Sequence, residues 1–265
     1  MRSRDDRTGG IGSGSIRKQL SQNFLTDIPV ARRLVRAAGI SADDLVVEIG
    51  PGDGMLTGHL LNNAHRVLAY EKDRHYAAKL RARYASDRRI HVRHADIREI
   101  TPPREPFTVV ANIPFAASTD IVRWCLAAPK LTSATLLTQC EFARKYAGDY
   151  GRWTKLTVTQ WPTVTMELDV RVHRYHFHLI PQVDAAVLRL RRREQPLLTR
   201  QELHGYHQFV EFGFSGLGGS LAATLRQAAP APKVRAACTM AGIALDEPVG
   251  LISPDRWLTL YQALS

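Results

Sequence analysis

Between residues 30 and 147, short apolar runs alternate with segments whose apolar positions recur at helical spacing. Val30, Leu34, Val35 and Ala38 share one helical face, which Gly39 closes. Apolar runs at 45–49, 67–70, 90–92, 109–111 and 134–138 predict strands, with helices near 55–63, 74–84, 119–127 and 140–147. That rhythm predicts an α/β fold, a doubly wound and mostly parallel sheet with helices on both faces. After residue 153 the rhythm changes. Residues 155–170 and 184–191 read as two strands with no helix between them, an antiparallel pair at the edge of the sheet. From residue 196 the spacing is helical again, broken by Gly213, Gly216, Gly218, Gly219 and the run 230–232. The expected division is a flexible basic tail (1–18), a sheet domain (19–194) and a small all-helical domain (195–265).

Composition narrows the class. No run of 18 apolar residues is present, so no membrane-spanning helix is expected, and the charged start MRSRDDRTGG has no apolar stretch of a secretory signal behind it. Cys125, Cys140 and Cys238 form neither a disulfide framework nor a metal-ligand spacing, which suits a reducing cytoplasm. Lys and Arg number 36 against 25 acids, a net charge of +11. That surplus suggests a polyanionic partner, nucleic acid above all, with a merely solvated basic surface as the plain alternative. Arg2, Arg4, Arg7, Arg17 and Lys18 of the tail could gather phosphates.

The densest local chemistry is Val46-Val47-Glu48-Ile49-Gly50-Pro51-Gly52-Asp53-Gly54, a strand running into a glycine turn and then a helix. Glycines let a backbone approach a ligand closely. Glu71 ends the next strand, where a carboxylate can accept both hydroxyls of a ribose. Asp96 and Asn112 end the two strands after it, so acid, acid and amide face one crevice. Nicotinamide and S-adenosylmethionine both need the ribose-gripping acid. Gly50, Gly52 and Gly54 give G-x-G-x-G, and position 55 is Met, so the pyrophosphate fingerprint is missing. An acidic Glu48 suits a sulfonium cofactor better than a diphosphate.

Asn112-Ile113-Pro114-Phe115 would stand at the reacting end. The Asn112 side-chain oxygen and the Ile113 carbonyl are two acceptors that can hold the hydrogens of a purine amine, localising its lone pair toward a methyl donor. Pro114 keeps Ile113 out of helical angles, and Phe115 offers a face for an extruded base. No strong base is needed, because the aminium formed on methyl transfer loses its proton readily. Orientation is the main contribution.

With these residues in place the chain resembles the rRNA adenine N6-methyltransferases, the family of the erythromycin-resistance enzymes and the small-subunit dimethyladenosine transferases. The resemblance runs from about Gln19 to the C-terminus. It rests on Ser21-Gln22-Asn23-Phe24-Leu25, Glu48 to Gly54, Glu71, Asp96-Ile97, Asn112 to Phe115 and Phe177 to Val183. It implies a Rossmann-like class I S-adenosylmethionine-dependent methyltransferase sheet with a C-terminal helical domain that binds rRNA. It further implies that Asn23, Leu25, Gly50, Gly52, Glu71, Asp96, Ile97 and Asn112 hold S-adenosylmethionine. Glu71 would take the ribose and Asp96 the cofactor's adenine amine. Asn112 and Ile113 would hold the target amine, and Phe115 and Phe177 would sandwich the flipped adenine. Asn-Ile-Pro and Phe177-His178 look like the resistance branch, which methylates one adenine in the peptidyl-transferase loop of 23S rRNA and so blocks macrolides, lincosamides and streptogramin B.

The chain departs from the family pattern at Phe115, where tyrosine is common, and at Leu179, which replaces a proline of Phe-x-Pro-x-Pro-x-Val. The segment 214–219 is also less basic than an RNA-gripping surface would be. The alternatives are a small-subunit (16S) rRNA dimethyltransferase and a non-catalytic rRNA-binding assembly factor. A nicotinamide oxidoreductase would leave Asn-Ile-Pro-Phe unexplained and lacks a Tyr-x-x-x-Lys pair. His173, His176 and His178 invite a metal, but no partnering acid or Cys has ligand spacing, so none is expected. Arg189, Arg191, Arg192 and Arg193 read either as a solvated strand end or as phosphate contacts. A monomer acting on large-subunit rRNA before full ribosome assembly completes the expectation.

Overall fold

The computed structural model describes residues 23–265, and the expected tail lies outside them. Strands β1 (Phe24–Leu25), β2 (Leu45–Ile49), β3 (Arg66–Glu71), β4 (Ile90–His94), β5 (Phe107–Asn112) and β6 (Leu131–Gln139) come first. Among them lie helices α1 (Ile28–Ala38), α2 (Thr57–Leu61), α3 (Arg74–Arg83) and α4 (Ser118–Ala127). Then follow α5 (Cys140–Ala147), α6 (Lys155–Gln160), β7 (Val164–Val172), β8 (Phe177–His178) and β9 (Ala185–Arg192). The chain closes with α7 (Arg200–Gly213), α8 (Leu221–Leu225), α9 (Ala231–Met240) and α10 (Pro254–Leu264).

Seven strands form one sheet in the order β4-β3-β2-β5-β6-β9-β7. The first five are parallel, while β9 runs antiparallel to both β6 and β7. Alternation along each strand divides the core between the two faces. Val46, Val110, Leu137 and Val187 pack with Leu34, Val35 and Leu60 of α1 and α2. Val47, Val109, Leu136 and Leu188 pack on the other side with Ile121, Val122 and Cys125 of α4. Helix α1 starts where the Asp27 side chain accepts from Val30 N–H at 2.9 Å and stops at Gly39, whose φ is +62°.

The antiparallel edge pair is present, but its first member starts later than the pattern predicts. Residues 155–160 are helical, capped by Thr154, whose hydroxyl accepts from Thr157 N–H at 3.0 Å. Their β-branched residues read as strand, yet Val158 is buried in the helical core behind them, and that packing overrides propensity. The same core joins Tyr206, Val210, Leu221, Trp257 and Leu260, with Trp257 stacked on Phe214 at 5.1 Å. Tyr206 Oη donates to Val158 O at 3.0 Å, which ties α7 to α6.

Two of the four arginines at the end of β9 are anchors. Arg192 Nη2 donates to Leu126 O and Ala128 O, and Arg193 Nε donates to Trp161 O beneath a cation–π contact at 4.9 Å. Arg189 pairs with Asp169 at 3.4 Å. No helix among the described residues is long and apolar enough to cross a membrane.

Trp257 is wholly buried. Trp257→Ala is expected to lower the unfolding free energy by about 3–5 kcal/mol, read from a denaturant titration followed by circular dichroism. A loss under about 1 kcal/mol would mean that the helical core closes around the gap.

Candidate active site

The C-terminal ends of β2, β3 and β5, with the turn after β4, converge on one cleft. After β2 the chain turns through Gly50, Gly52 and Gly54 at φ +67°, +53° and +80°, angles that side-chain-bearing residues rarely adopt. At Gly52 a Cβ would also lie 2.9 Å from the Phe24 ring. The loop is fastened to the next strand by the Glu71 carboxylate, which accepts from Gly52 N–H at 3.0 Å and from Asp73 N–H at 2.8 Å. Burial raises the Glu71 pKa, and these two donors oppose the rise.

Two adjoining hollows make up the cleft. The smaller, about 70 Å³, is lined by Asn23, Leu25, Gly50, Gly52, Glu71, Asn112, Ile113 and Pro114 among others. The larger, about 460 Å³, adds Asp96 and Ile97 and shares Gly50, Glu71 and Pro114 with the first. All the expected site residues except Phe115 and Phe177 therefore lie on its walls.

Asn112 sits at the end of β5 with its side chain locked. Its Nδ2 donates to the backbone carbonyl of Asn23 at 2.7 Å. A carbonyl oxygen can only accept, so the amide has one allowed sense. Its Oδ1 is thereby left buried, with no partner among the described residues. Beside it Ile113 N–H donates to Leu137 O at 3.0 Å, and Pro114 opens a short 3-10 turn over Phe115–Ala117.

Three of these side chains have surroundings that the sequence does not show. Glu48 is not a charged wall: it is buried, Thr57 Oγ1 donates to it at 2.7 Å, and burial pushes its pKa up to about 8. It carries a proton at neutral pH. Asp96 is not a free acceptor either. Its oxygens already take Arg98 N–H and Nε at 3.1 and 3.0 Å and Lys72 Nζ at 2.8 Å, and Arg98 above all holds its carboxyl far below the usual range. Finally, Phe115 and Phe177 do not form an open sandwich. Phe177 is only 3% exposed and shares a buried cluster with Leu25, Leu34 and Val172. Its strand β8 pairs with β1, Leu25 against Phe177, and the turn beyond it places Leu179 at φ +58°.

The sequence reading also missed the ties around these residues. His176 Nδ1 lies 2.8 Å from Asp27 Oδ2, and the Thr26 N–H donates to His176 O at 2.9 Å, so the middle histidine of the trio braces the Asn23–Leu25 lip. Spacing alone could not show this, because the partners are brought together only by the β1–β8 pairing.

A family described as ribosomal RNA adenine dimethylase matches residues 14–265. The chain belongs to that family. As a member it is a ribosomal RNA methyltransferase dependent on S-adenosylmethionine. An rRNA adenine N-6-methyltransferase of Aeromicrobium erythreum is 47% identical over 249 residues, covering 94% of this chain and 73% of its own. The mycinamicin-resistance protein MyrB of Micromonospora griseorubida is 32% identical, covering 93% and 78%. Among solved structures, the 23S rRNA methyltransferase ErmE superposes with a TM-score of 0.88 at 42% identity, covering 91% of this chain and 99% of that one.

Glu48 offers a test of the cleft's electrostatics. Its pKa is raised from the ordinary 4.5 to about 8 in the fold, so its contribution to stability is full below pH 4.5 and is lost as pH rises to about 8. Glu48→Gln removes this titration. Between pH 5 and pH 8 the melting temperature of the parent should fall relative to that of the variant, whatever the constant offset. Parallel curves would show that Glu48 ionises normally.

Proposed function

We propose that this chain transfers a methyl group from S-adenosylmethionine to N6 of one adenine in the peptidyl-transferase loop of 23S rRNA, conferring resistance to macrolides, lincosamides and streptogramin B. The observation that carries this reading is the orphaned Asn112 Oδ1, a buried acceptor whose direction is set from behind by Asn23. An adenine amine supplies the missing donor. A buried acceptor left unpaired costs about 1–3 kcal/mol, so the site favours a ligand that brings an N–H to it.

The cleft fits the cofactor. The glycine turn lines the tight end, and Glu71, whose oxygens accept Gly52 N–H and Asp73 N–H, lines the same hollow with acceptor capacity left for a ribose hydroxyl. S-adenosylmethionine supplies the electrophilic methyl group. Gly50, Gly52 and the lip residues Asn23 and Leu25 line the tight end. Asp96 and Ile97 line the roomier end, where an adenine amine would compete with Lys72 and Arg98 for the Asp96 oxygens.

Asn112 and the Ile113 carbonyl would orient the target amine, Pro114 would hold that carbonyl at the cleft, and Phe115 and Phe177 would stack the base once Phe177 is released from its cluster. Orientation of two bound reactants is the principal catalytic contribution. ErmE and MyrB, as named relatives of the same family, support 23S rRNA as substrate and resistance as outcome. The enzyme is read as a cytoplasmic monomer that needs no metal and meets large-subunit rRNA before assembly is complete.

Incubation with labelled S-adenosylmethionine and either 23S or 16S transcripts, followed by mass spectrometry, tests the assignment. N6-methylated adenine in the peptidyl-transferase loop is expected. Paired dimethyladenosines in 16S rRNA would move the chain to the small-subunit branch, and label on neither would remove the enzyme reading. Asn112→Ala should lower methyl transfer by at least about 100-fold, the scale of one lost orienting hydrogen bond, with RNA affinity unchanged. Retained turnover would take Asn112 out of the reacting site.

A further inference from the structure

The charge surplus is unevenly placed. Residues 72–98, which span α3 and the edge strand β4, hold nine Lys and Arg against three Asp. All nine cations are exposed, whereas Asp73, Asp87 and Asp96 are each half-buried. Helix α3 buries only Ala77 and Leu80, so most of its surface faces solvent. The helical part behaves oppositely. Residues 195–265 hold five Lys and Arg and five Asp and Glu, with Arg256 committed to Glu247. The helical region that the resemblance casts as the RNA binder has no net charge with which to hold a polyanion.

We infer that the α3–β4 edge is a docking face for the phosphate backbone of the RNA substrate, flanking the catalytic cleft on the side where Asp96 stands. The inference rests on the rRNA-methyltransferase reading and adds where the RNA is gripped. Position supports it as strongly as charge. Strand β4 is the outermost strand on its side, and β7, which lies at the opposite edge, follows directly on α6, the helix tied into the helical core. Lys72 and Arg98 line the cleft itself, so the basic face is continuous with the site and RNA leaving the catalytic centre passes onto it. The side chains of Arg74, Arg88 and Arg93 form no hydrogen bond or ion pair with the other described residues and have their guanidinium donors open to phosphate oxygens. A competing role for such charges is to guard the sheet edge against pairing with another chain.

The full-length protein is titrated with a 23S transcript carrying the peptidyl-transferase loop, between about 50 and 200 mM salt. The triple variant Arg74→Gln, Arg88→Gln, Arg93→Gln should lower the slope of log affinity against log salt by about 2, near 0.7 per lost phosphate contact. Its cofactor affinity and its turnover at saturating RNA should equal those of the parent, showing that the fold is intact, and the matching Lys triple should restore the slope. Arg200→Gln, Arg226→Gln, Arg235→Gln in the helical part should leave it nearly unchanged.

An unaltered slope in the edge triple overturns the inference, and aggregation with an unaltered slope assigns those arginines to edge protection. An equal loss in the helical triple overturns it as well. If the parent methylates neither RNA, the proposed function fails instead, so the two failures are distinguishable.

Discussion

One hydrogen bond organises the reacting end of this enzyme. Asn112 Nδ2 and the carbonyl of Asn23, 2.7 Å apart, join the end of a central strand to a lip far from it in sequence. The bond fixes the sense of the amide, and with it the direction of its unpaired Oδ1. It also places the lip. Phe24 lies across Gly52 and packs against Tyr76 of α3, with ring centroids 5.2 Å apart, and Leu25 pairs with Phe177. Asp27 then starts α1 and braces His176 with the same carboxylate. The lip, Asn112 and Phe177 are therefore one connected unit, and displacement of any part is felt by the others.

Three carboxyl groups around the cleft show how environment rather than residue type decides charge. Glu48 is sealed beneath the glycine turn and keeps its proton, because one hydroxyl donor cannot replace lost hydration. Glu71 is nearly as buried, but two backbone N–H groups are aimed at it. Asp96 lies beside Lys72 and Arg98 and stays ionised well into acid. The cleft thus presents a neutral floor, an immobilised acceptor and an ion-paired rim.

Much of this was legible in the sequence, for definable reasons. The parallel strands announce themselves as runs such as Val46–Val47 and Val109–Val110 because both sheet faces are buried, and the three loop glycines because only glycine tolerates their angles. The strand-end positions of Glu71 and Asn112 followed from the strand pattern, and Asp96 lies two residues past its strand, in the turn after β4. What escaped depends on contacts between distant segments. Lys155–Gln160 carries strand-like residues but is held helical by the partner core of Val158. The protonation of Glu48 needs Thr57 and full burial, and the engagement of Asp96 needs a lysine from the neighbouring strand end. No one-dimensional pattern encodes those pairings.

Leu179 shows how a departure from a family pattern can be structural. A proline ring fixes φ near −65°, so the turn at φ +58° that follows Phe177 is closed to proline and open to leucine. Holding leucine there costs roughly 1–2 kcal/mol, and burying a phenylalanine side chain returns about 1.5–3 kcal/mol. Stacking one base on an aromatic ring is worth about 1–3 kcal/mol, comparable with the burial it would replace. The replacement of proline by leucine therefore does not bar the base-stacking role. In that proposed role the substrate itself must draw Phe177 out of the cluster it shares with Leu25, Leu34 and Val172.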